Sequence, residues 1–97
     1  MNPDRIRQME TSLNAIRQAA RDLQAQLEQL KACGQAAKDL YAYYGSEDWY
    51  QDREAELPEG MQAGVLSEDA VYDSITELRD TAFDMLELGT DVLKNWI

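Results

Sequence analysis

Histidine is absent from this chain, and cysteine occurs once, at Cys33. Without histidine there is no Ser-His or Cys-His nucleophile pair and no Glu-x-x-His di-iron site, and with a single cysteine most zinc chemistry goes too. A lone cysteine also permits no internal disulfide, whereas small secreted domains usually carry an even set, so a reducing, cytoplasmic location is expected. Long apolar runs are missing: nothing approaches the roughly 18 residues that a membrane span needs. The opening residues MNPDRIRQME are charged throughout, so neither a signal peptide nor an anchor is expected. Basic residues are scarce, nine Lys and Arg against nineteen Asp and Glu, for a net charge of −10. The shortage is one-sided. Residues 1–44 hold six basic and five acidic side chains and residues 45–97 three and fourteen, which makes the parts +1 and −11. Direct binding to nucleic acid or to an anionic membrane is therefore not expected, since both need a basic face; a basic protein partner suits the second part.

What is present describes one small domain, 1–97, with 44% hydrophobic and 29% charged residues, organised by spacing. Asn2-Pro3-Asp4 is a helix start: a side-chain cap, a proline at the first helical position and an acid at the positive end of the dipole. Ile6, Met9, Leu13, Ile16, Ala20, Leu23, Leu27, Leu30, Gly34, Ala37, Tyr41 and Tyr44 then follow in steps of 3 and 4, a coiled-coil-like seam. The helix so predicted, about 3–44, is roughly 60 Å long at 1.5 Å per residue. Small residues fill its last third, and Cys33 beside the seam is expected to be a small buried apolar group rather than a reactive thiol.

Gly45 is the usual left-handed helix terminator, and Ser46-Glu47-Asp48 caps a short helix over about 47–56. A connector, 57–66, begins at the turn signature Leu57-Pro58-Glu59-Gly60 and brings Met61, Val65 and Leu66 back to the core. Ser67-Glu68-Asp69 opens the last helix, about 68–96, with Leu66 and Val71 placed as a hydrophobic staple. Its seam runs Val71, Ile75, Leu78, Ala82, Met85, Gly89, Val92, Trp96, widened by Tyr72, Leu86 and Leu93.

Two seams on either side of a hinge predict an all-α fold: an antiparallel hairpin of long helices, the short middle helix across the hinge, with coiled-coil-like packing. If Tyr41 lies near Val71, paired residue numbers sum to about 112 and Ile97 reaches only about residue 15. Ile6, Met9 and Leu13 then lack an intrachain partner, and an exposed apolar row is unusual on a monomer. A homodimer follows, its two hairpins closing a four-helix bundle.

Two surfaces can carry chemistry. The first is the aromatic cluster Tyr41, Tyr43, Tyr44, Trp49, Tyr50 and Tyr72, either a ligand cage or simply the hinge end of the core. Tyr41, Tyr44, Trp49 and Tyr72 suit the core, which leaves Tyr43 and Tyr50, off the seam, as the better ligand contacts. The second is a carboxylate stripe, Asp69, Asp73, Glu77, Asp80, Asp84, Glu87 and Asp91, relieved only by Arg79 and Lys94. It reads as a solvated helix face, a hard-cation site or a mimic of a phosphate backbone. Paired carboxylates do acid-base work only in a cleft that separates their pKa values, and an exposed helix face offers none. Gly60 and Gly64 make no phosphate loop, having neither a strand before them nor a lysine after. No catalytic residue, cofactor or metal ligand is assigned. Ile6, Met9, Leu13, Asp80, Asp84 and Glu87 are the candidate interaction residues.

The stretches YYGSEDW at 43–49 and GVLSEDAVYD at 64–73, preceded by a long heptad helix, resemble a family of small bacterial proteins known only as a domain of unknown function. The resemblance spans nearly the whole chain. It implies a bacterial, intracellular, helical protein and supplies no activity, cofactor or catalytic residue. The function expected is that of a small acidic helical protein, not an enzyme, acting through protein-protein association, first with itself. The alternatives are an acidic nucleic-acid mimic that inhibits a nucleic-acid-binding protein, and a small-molecule-binding protein or enzyme built on the hinge tyrosines.

Overall fold

The computed structural model describes residues 1–97 and contains helices and turns but no strand. The fold is all-α, as the two seams require. Helix α1 spans Pro3–Ala32; the Asn2 side chain accepts from the Arg5 amide at 3.1 Å, the cap that the Asn-Pro-Asp opening encodes. The segment expected to run unbroken over about 3–44 is divided at Cys33, after which α2 occupies Gly34–Tyr43. The Cys33 amide is shared between the carbonyls of Gln29 (3.3 Å) and Leu30 (3.1 Å), a tightening of the last turn that occurs where helix propensity falls, next to Gly34. Cys33 itself is exposed. The expectation that it is buried fails because the segment around it has no core.

The end of α2 follows from local chemistry. Gly45 adopts φ +77°, a left-handed conformation that costs glycine little and a β-branched residue much. Ser46 then caps α3, Glu47–Glu54, accepting from the Trp49 amide at 3.2 Å. The helix stops short of 56 because Ala55 is already extended, three residues ahead of Pro58. Pro58 to Met61 form a turn closed by a 3.2 Å bond, with Gly60 at φ +80° in its third position, which is type II geometry. After a 3-10 turn at Gly64–Leu66, Ser67 caps α4, Glu68–Asp91, through the Ala70 amide at 3.3 Å. The last helix, expected to reach about 96, changes pitch at Val92–Trp96 into a π turn, its Ile97 amide bonding the Val92 carbonyl at 3.3 Å. The Asp91 carboxylate supplies the reason, accepting from Asn95 Nδ2 at 2.6 Å and Trp96 Nε1 at 2.8 Å.

The chain divides into two compact units, Met1–Lys38 and Asp39–Ile97. The first contains α1 and the start of α2 and has no buried residue. Its exposed Arg7–Asp4 (2.8 Å) and Lys31–Glu28 (3.3 Å) pairs add only a few tenths of a kcal/mol each. The second holds the core, centred on Trp49 (2% exposed) and Val71 (3%). Within it the chain reverses direction: Tyr41 Oη lies 3.0 Å from Ser74 Oγ, and Tyr44 Oη donates to the Glu68 carbonyl at 3.4 Å. Those pairs sum to 115 and 112, so the hairpin register near 112 holds at the hinge. No helix is long and apolar enough to cross a membrane.

Candidate functional site

The hinge is assembled around Trp49, the third residue of α3. Its Nε1–H donates to the Val65 carbonyl at 3.0 Å, which the 3-10 turn at Gly64–Leu66 presents. Tyr44 and Tyr50 meet its ring edge-on, centroids 5.1 and 5.0 Å away at 79° and 77°. The Arg53 guanidinium stands 4.7 Å over the ring, so the cation that an aromatic cage would attract is already supplied by the chain itself. Tyr43 Oη donates to Asp52 Oδ2 at 2.5 Å. That acceptor, then desolvation and the Asp52 and Asp48 charges, pushes the phenol up to about 12. Tyr44 is also raised, by desolvation first and then by Glu68. An open groove of about 320 Å³ adjoins the Tyr43–Asp52 pair, walled by Leu57, Met61, Val65 and Leu66.

Of the six aromatics read from the sequence, the structure brings Tyr41, Tyr43, Tyr44, Trp49 and Tyr50 to this hinge. Tyr72, expected in its core, is 60% exposed: it follows Val71 by one residue, about 100° around the helix. Met61 and Val65 are likewise exposed and Leu66 only half-buried. Sequence reasoning missed Asp52, Arg53 and Ser74. Arg53 lies one turn beyond Trp49, a spacing that places side chains side by side; Asp52 had no such signal, because it meets Tyr43 only through the Gly45 reversal.

The carboxylate stripe runs along α4, with Asp69, Asp73, Glu77, Asp80, Asp84, Glu87 and Asp91 all exposed. No three carboxylates converge as a cation-binding group would require. Asp91 alone is engaged: the bonds from Asn95 and then Trp96 hold its carboxyl below the ordinary value, against a smaller desolvation effect.

The third surface is the apolar stripe of α1. Ile6, Met9, Leu13, Ile16, Leu23, Leu27 and Leu30 are all exposed, from 37% to 67%. They form one continuous row about 36 Å long, at 1.5 Å per residue over 24 steps. Arg5, Arg17 and Lys31 stand at the heptad positions that flank this seam, with Glu10 the one acid so placed, while Arg7, Asp22 and Glu28 lie one position further round the helix.

A family model described as a domain of unknown function (DUF4298) matches residues 6–88, from the first residue of the α1 stripe to the last turns of α4. No curated protein and no solved structure matches the chain.

Proposed function

The chain belongs to the DUF4298 family, and from that premise we propose that it is a non-enzymatic helical protein that works by protein-protein association, its first partner a second copy of itself. The observation that carries the reading is the exposed apolar stripe of α1. A row of large aliphatic side chains left in water forfeits about 25 cal/mol for each Å² that a partner helix would cover, and monomeric proteins seldom present one. The composition supports a non-catalytic role, since it lacks histidine and leaves its carboxylates on an exposed helix face. A single free cysteine fits a reducing cytoplasm.

Sedimentation equilibrium at micromolar concentration tests this. A species of about 22 kDa, twice the 11.1 kDa chain, is expected, and Ile6→Glu with Leu13→Glu should convert it to monomer. Monomeric wild-type protein overturns self-association. A second reading, mimicry of a nucleic-acid backbone, draws on the row of carboxylates that includes Asp80, Asp84 and Glu87 and is relieved only by Arg79 and Lys94. Salt separates the two. Mimicry loses affinity steeply as salt rises, whereas association carried mainly by apolar burial of the stripe responds far less.

A further inference from the structure

We propose that the two copies engage crosswise, with the α1 stripe of each seated on the apolar face of α4 of the other; this rests on the self-association reading above. The first argument is apolar exposure. On the first unit seven large apolar side chains, from Ile6 to Leu30, are exposed along one helix. Pairing α1 with α1 makes a single helix-on-helix contact and leaves the other exposed face uncovered. That face is on α4, where Met85, Leu86 and Leu88 are 36–68% exposed. Reciprocal seating makes two such contacts and covers both faces.

The second argument is charge. The unit carrying α1, residues 1–38, has six Lys and Arg against four Asp and Glu, or +2; residues 39–97 have three against fifteen, or −12. At the heptad positions flanking the α1 stripe stand Arg5, Arg17 and Lys31, with Glu10 the one acid there; Lys31 already pairs with Glu28 at 3.3 Å, and α1 against α1 would give Arg5 and Arg17 little counter-charge. Helix α4 carries eight acids and one base, Arg79. Its acids lie beyond a broad apolar band that includes Leu86 and Leu88, a distance that long basic side chains span by laying their stems on the apolar surface and extending their charge past it. The narrow stripe with basic edges fits the broad band with acidic margins.

Complementation between two variants tests the arrangement. Leu13→Glu with Leu27→Glu spoils the α1 stripe, and Met85→Glu with Leu86→Glu spoils the α4 band; all four residues are exposed, and retention of the Trp49 near-ultraviolet signal verifies that the hinge still folds. Crosswise seating predicts that each variant alone is monomeric while wild type is dimeric. An equimolar mixture should then recover a heterodimer of about 22 kDa, twice the chain mass, because the intact α1 of one variant meets the intact α4 of the other. If the α4 variant dimerises by itself, or the mixture stays monomeric while wild type dimerises, crosswise seating is overturned and self-association stands. A monomeric wild type overturns the underlying reading instead.

Discussion

Replacing Trp49 by alanine should be the most damaging single substitution in the chain. The indole is 2% exposed and its N–H is bonded to the Val65 carbonyl at 3.0 Å. Burying a tryptophan removes about 150–250 Å² from water, worth about 4–6 kcal/mol at ~25 cal/mol/Å², and truncation of a buried Trp typically costs about 3–5 kcal/mol. For a domain of this size each kcal/mol moves Tm by about 4–8 °C, so Trp49→Ala should lower it by at least about 12 °C. Trp49→Phe keeps most of the ring but strips the Val65 carbonyl of its donor, a loss of about 1–3 kcal/mol. Thermal and urea unfolding followed by circular dichroism measures both, with Tyr72→Ala as the control because Tyr72 is 60% exposed. If Trp49→Ala costs no more than Tyr72→Ala, the hinge is not the core of the second unit and the account of the fold fails.

Gly45→Ala, at φ +77° with open space around it, should destabilise by about 1 kcal/mol through backbone strain alone, whereas the helical Gly34→Ala, also in open space, should stabilise by up to about 1 kcal/mol; urea midpoints read both signs. Because the Tyr43 phenol is raised to about 12 from an ordinary value near 10, its contribution to stability is complete below the ordinary value and fades as pH climbs toward the raised one. A phenolate absorbance titration should show late-ionising tyrosines, Tyr43 and Tyr44, and Tyr43→Phe should remove one of them. Asp91 has the opposite sign: its lowered pKa means that its contribution is present above the ordinary carboxylate value and is lost as pH falls through the depressed one. Trp96 fluorescence should report that acid transition, and a profile unchanged in Asp91→Asn would contradict it. Leu27→Asp should weaken association far more than Gln29→Asp, since only Leu27 lies on the stripe; equal losses in a sedimentation series would remove the stripe from the interface.

What could be read from the sequence was whatever a residue must do for its immediate neighbours. Asn2, Ser46 and Ser67 cap helices in the structure because an unpaired amide two or three residues on needs an acceptor wherever the chain later goes, and Gly45 ends α2 because few other residues tolerate its φ. Burial is different in kind. The spacing of Ile6 through Leu30 states that one face of α1 is apolar, but the covering of that face belongs to another surface, and Cys33 was assigned an interior that its own unit does not possess. Trp49 shows the same limit from the other side. It lies on neither seam, so periodicity does not distinguish it from the other aromatics that suit the hinge end of the core, yet it is the most buried residue of the chain. Periodicity registers repeated demands along one helix, and Trp49 meets four partners at once: a cap at Ser46, a carbonyl offered by the turn at Val65, an edge from Tyr44 and a cation from Arg53. Only Ser46 and Arg53 are near enough in sequence to announce themselves, and both did so as ordinary helix chemistry. The carbonyl that fixes the indole comes from sixteen residues away, through a connector whose turn could be foreseen but whose direction of return could not.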